Sequence, residues 1–108
     1  MELTKEAAFD FADQVLELTH NEHPTIKFLG LLMSKGLVEF SKDVRKGTPY
    51  VELLKYGPGL LGIVKALEPL NTGGKLDDNL SKIRDGINTI RDRVRNNALS
   101  EVLKEMEK

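Results

Sequence analysis

Cysteine is absent from the 108 residues, which excludes disulfides, thiolate nucleophiles, cysteine-ligated zinc and iron–sulfur clusters. Charge of one sign is also missing: 16 Lys and Arg stand against 17 Asp and Glu, a formal net charge of -1. A protein that coats nucleic acid or anionic lipid through bulk charge is therefore disfavoured. The longest membrane candidate, Leu60 to Val64, is far below the ~18 apolar residues of a spanning helix. The opening Met-Glu-Leu-Thr-Lys-Glu lacks the basic-then-apolar layout of a secretory signal, so a cytoplasmic protein with no membrane association is expected. No window alternates polar and apolar residues for long enough to predict a strand, and no internal repeat is present.

What remains is a globular composition, 40% hydrophobic and 31% charged, in a length that suits one domain over residues 1–108. Folding should remove roughly 65% of the unfolded surface from water, enough for one modest core. The pattern predicts an all-α bundle of about five helices with a long C-terminal amphipathic helix. A first segment, Thr4 to His20, carries Ala8, Phe11, Ala12, Val15 and Leu18 on one face, with Thr4 as its cap. Pro24 opens a second, striped by Ile26, Leu29, Met33, Leu37, Phe40 and Val44. Gly30 and Gly36 each cost ~1 kcal/mol there relative to Ala, so a kink or split near Ser34-Lys35-Gly36 is expected.

Lys46-Gly47-Thr48-Pro49 reads as stop, cap and restart, with Gly47 at positive φ, Thr48 as cap and Pro49 in the new first turn. A short segment to Tyr56 should end at Gly57-Pro58-Gly59, and a fourth should run from Leu60 to Glu68. After the loop Asn71-Thr72-Gly73-Gly74, the last segment starts at Asp77 or Asp78, acids suited to a helix N-terminus. Its Leu76, Leu80, Ile83, Ile87, Ile90 and Val94 form a heptad seam of alternating four- and three-residue steps. Asn97 then interrupts the seam, and Ala98, Leu99, Val102, Leu103 and Met106 resume out of phase. An unbroken helix from Asp78 to Met106 would be ~43 Å long, against a diameter of ~34 Å for a compact chain of this size. It must break near Asn96-Asn97 or project past the body.

Three patterns could carry chemistry, and each has a plainer reading. Gly57-Pro58-Gly59-Leu60-Leu61-Gly62 matches G-x-G-x-x-G with Asp77 and Asp78 downstream, but no strand precedes it. A corner whose Gly59, Gly62 and Ala66 admit a neighbouring helix explains it better. Thr72-Gly73-Gly74-Lys75 has Leu76 where a phosphate-binding loop needs a hydroxyl, so it reads as a connector. Asp13, Glu17 and His20, with His23 folding back, could surround a cation. A histidine complementing a helix C-terminus explains His20 equally, and His23 then simply precedes Pro24. With only these two histidines, serine and threonine nucleophiles lack a credible base, and neither enzyme activity nor a cofactor or metal is expected.

Matching charged stripes are the most informative feature. Glu6, Asp10, Asp13 and Glu17 form one acidic edge, and Arg84, Asn88, Arg91 and Arg95 repeat the same four-, three- and four-residue spacing. Arg84 and Arg91 have no acid three or four residues away, where helical ion pairs form. They must meet anions elsewhere or remain in water. The expected function is a non-enzymatic helical protein–protein interaction or assembly module, with itself as the favoured partner in a homodimer. Its expected interaction residues are Leu80, Ile83, Arg84, Ile87, Ile90, Arg91, Val94 and Arg95, with Glu6, Asp10, Asp13 and Glu17. In a parallel pair no acid would flank a base, so an antiparallel arrangement is preferred. The alternatives are a nucleic-acid binder using Lys82, Arg84, Arg91, Arg93 and Arg95, and an accessory subunit of a larger complex. Asp85 and Asp92 beside the stripe, with no interleaved aromatic, weigh against nucleic acid.

Overall fold

In a computed structural model, which describes residues 11–107, the chain is all-α, and no strand occurs among the described residues. The elements are α1 (Ala12–Thr19), α2 (Pro24–Arg45), α3 (Tyr50–Leu53), α4 (Tyr56–Leu67) and α5 (Asp77–Met106), with 3-10 turns Glu68–Leu70 and Thr72–Gly74 before α5. The expected cap Thr4 and the acidic residues Glu6 and Asp10 lie outside the described residues. Helix α1 packs on α2 and α5, α2 on α4, and α5 also receives α3 and α4. One core joins Val15 and Leu18 of α1, Met33 and Phe40 of α2, Leu53 of α3, Val64 and Leu67 of α4, and the α5 seam.

Helix α2 runs without interruption through Gly30 and Gly36, so the kink expected there is absent. The glycines serve packing. A Cβ on Gly30 would stand 2.9 Å from Leu18 Cβ and 3.1 Å from the Leu18 carbonyl carbon, so its absence lets the α1 and α2 backbones touch. Gly86 in α5 does the same for a ring: its missing Cβ leaves the space that Phe11 fills. Gly59 and Gly62, expected to admit a neighbour, have open space above them.

The stop at Gly47 is a Schellman turn. With φ at +78°, Gly47 donates its N–H to the Val44 carbonyl at 3.1 Å and Thr48 donates to Asp43 at 3.1 Å, satisfying two end-of-helix carbonyls. Thr48 does not cap the next helix. Instead, α3 is capped from a distance: the Glu101 carboxylate of α5 accepts the Tyr50 N–H at 3.0 Å and the Val51 N–H at 3.1 Å. Nor is Gly57-Pro58-Gly59 a corner, since it lies in the first turns of α4. First-turn N–H groups have no intrahelical acceptor, so Pro58 forfeits no hydrogen bond there.

Helix α5 is continuous through Asn96-Asn97. Of the two outcomes open from its length, it runs past the core: Ala98 is its last buried residue, and the molecule is elongated, with Cα extents of 54 × 21 × 19 Å. Asn97 takes the place in the seam after Val94 and keeps a buried Nδ2 without a hydrogen-bond partner. Among the described residues, no helix is long and apolar enough to cross a membrane.

Candidate interaction surfaces

The seam residues Leu80, Ile83, Ile87, Ile90 and Val94 are all buried in the chain's own core. Each contributes roughly 1.5–3 kcal/mol of burial to the monomer. Their regular spacing thus serves the fold, and the arginines occupy the adjoining edge of α5. Arg84 pairs with Glu68 of the turn after α4 at 3.0 Å. Arg91 lays its aliphatic stem over Gly57, and its Nε sits 3.8 Å from Asp92. Arg95 is exposed and has no ion pair among the described residues. Lys82, one of the alternative cationic contacts, pairs with Asp78 at 3.2 Å.

The described part of the acidic edge, Asp13 and Glu17, forms no ion pair with these arginines. Glu17 accepts a hydrogen bond from Asn79 Nδ2 at 2.6 Å, at the start of α5, and Asp13 is exposed. The histidines take helix-end positions. His20 ends α1, and His23 caps α2, its Nδ1 accepting the Thr25 N–H at 3.2 Å. Among the described residues no group of three His, Asp or Glu side chains converges as a metal site would require.

Burial leaves two rows of large apolar side chains in water. One lies on the outer side of α2, where Phe28, Leu31, Leu32 and Val38 are exposed opposite the buried Ile26, Met33, Leu37 and Phe40. The other lies at the projecting end of α5, with Leu99 58%, Val102 44%, Leu103 50% and Met106 77% exposed. An open groove of about 620 Å³ runs beside the second row, between Pro49 and Val51 on one side and Val102 and Met106 on the other. The signal for it was in the sequence. Arg84, Asn88, Arg91, Arg95, Leu99, Val102 and Met106 continue one edge in steps of four and three, cationic along the body and apolar beyond it.

Between α2 and α4 the Tyr56 hydroxyl donates to Asp43 Oδ2 at 2.5 Å, and its ring meets Phe40 edge-on, with centroids 5.3 Å apart. Burial, the hydrogen bond to Asp43, and the charges of Asp43 and Glu39 push the phenol up from 10.0 to about 12. Such a group is held protonated at neutral pH, as a structural donor rather than a base. These features define a helical bundle with a projecting, half-apolar terminal helix. No protein-family model, curated protein or solved structure matches the chain.

Proposed function

We propose that the protein is a non-enzymatic helical interaction module that associates with itself. The observation carrying this reading is the exposed row Leu99, Val102, Leu103 and Met106 on a helix end that projects beyond the core. Contiguous apolar surface rimmed by charge marks docking sites in soluble proteins. Of the five cations that would serve a nucleic-acid binder, Lys82, Arg84 and Arg91 stand near carboxylates of the same chain, while Arg93 and Arg95 have no ion pair among the described residues, a short run for releasing counter-ions from a phosphate backbone.

Sedimentation equilibrium over a wide concentration range tests the reading. The expected result is a mass rising with concentration above the 12.1 kDa of the monomer. A constant monomer mass up to millimolar protein overturns it. A low-salt gel shift that weakens steeply with added salt would favour the nucleic-acid alternative instead.

A further inference from the structure

We propose that two copies pair tail-to-tail through the projecting end of α5, antiparallel, with Leu99 of each copy over Val102 of the other and Arg95 over Met106. The inference rests on the self-association proposed above and specifies its surface, orientation and register. The edge Arg95, Leu99, Val102, Met106 advances by four, three and four residues, so it is symmetric about a point between Leu99 and Val102. A two-fold axis at that point places each apolar residue of the central pair against the other, as an isologous contact requires.

The body does not obstruct this contact. Ala98 is buried and Glu101 holds the start of α3, so the folded domain lies to one side of α5, while Leu99 is exposed and Val102 and Met106 border the open groove whose far wall is Pro49 and Val51. Charge selects the orientation. In a parallel pair Arg84, Arg91 and Arg95 would each face their own counterparts, and the two negative helix ends would lie together. In the antiparallel pair Arg95, which has no ion pair among the described residues, reaches the C-terminal end of the partner helix. There the helix dipole is negative, and Glu107 adds a carboxylate.

The area is sufficient for a weak, specific dimer. Leu99, Val102, Leu103 and Met106, with Val51 across the groove, each offer on the order of 100 Å² of apolar surface. The two patches together approach ~1,000 Å², where specific interfaces begin. An affinity in the micromolar range or weaker is expected.

The experiment combines two variants with one distance. Val102→Asp and Arg95→Glu each change an exposed residue, and circular dichroism checks that both remain folded. Each should weaken the dissociation constant at least tenfold, whereas Phe28→Asp on the outer side of α2 should leave it unchanged. Because the chain has no cysteine, Ser81→Cys gives a single spin-label site. Labels in the tail-to-tail pair should lie about 60 Å apart, from 1.5 Å of rise per residue on either side of the axis. A separation of about 10 Å, the spacing of packed parallel helices, overturns the orientation. If Phe28→Asp abolishes association while Val102→Asp does not, this surface is wrong and self-association stands. A wild-type monomer at every concentration removes both.

Discussion

Two glycines inside helices are expected to respond oppositely to the same methyl group. Gly62 of α4 has open space above it, so Gly62→Ala should stabilise by about 0.5–1 kcal/mol, the intrinsic helix preference. Gly86 of α5 lies under the Phe11 ring. There the same preference opposes displacement of a buried aromatic side chain, an overpacking cost of about 1–3 kcal/mol. Gly86→Ala should therefore lower the urea midpoint while Gly62→Ala raises it; equal signs would show that the Phe11 contact does not constrain the helix. Tyr56 gives a second residue-level expectation. Its phenol is pushed up from 10.0 to about 12, so the folded state holds the proton more tightly than the unfolded chain. By linkage, the stabilisation is complete below pH 10 and is lost as pH rises toward about 12. Tyr56→Phe should remove that part of the alkaline stability loss, read as a flatter dependence of the urea midpoint on pH across this window.

At the scale of the elements, α3 is too short to persist alone, since four residues barely complete one helical turn. It is held by Leu53 in the core and by the Glu101 carboxylate on the Tyr50 and Val51 amides. Glu101→Ala should cost about 1–2 kcal/mol, as loss of a helix cap does, and should speed hydrogen exchange at Tyr50 and Val51 before it affects α2. Unchanged exchange at these two amides would exclude the tertiary cap. This contact could not be read from the chain, because it joins residues about fifty positions apart. Local chemistry was more legible. The positive φ at Gly47, the Pro24 start and the 3.6-residue apolar rows each depend on a few neighbouring residues, and the structure retains them. The expected break at Gly36 did not form, and the one expected at Gly57-Pro58-Gly59 falls upstream at Leu54-Lys55, because glycine and proline signal a stop only where packing or helix position does not use them. Gly30 and Gly86 are used for close approach, and Pro58 sits where its missing donor is harmless. The candidate surface was legible in half. The Arg84–Arg91–Arg95 edge was visible, but the seam it was grouped with is buried, and which apolar row faces inward depends on where α4 and α1 land.

For the whole molecule, the decisive quantity is whether α5 stays straight past Asn96-Asn97. A compact chain of this length would have a radius of gyration of about 13 Å, whereas the Cα value here is 15.1 Å. The molecule is elongated, 54 Å along its longest axis, and the last turns of α5, beyond the buried Ala98, hold the apolar edge and the Glu101 cap together. Folding it back at Asn97 would release Tyr50 and Val51 from their carboxylate and would turn Leu99 and Val102 away from a second copy. Solution scattering extrapolated to infinite dilution should give a radius at or above 15.1 Å, and a longest dimension increasing with concentration toward about 90 Å as tails overlap. A dilute radius near 13 Å would mean that the helix breaks, leaving neither the projecting surface nor the distant cap in place.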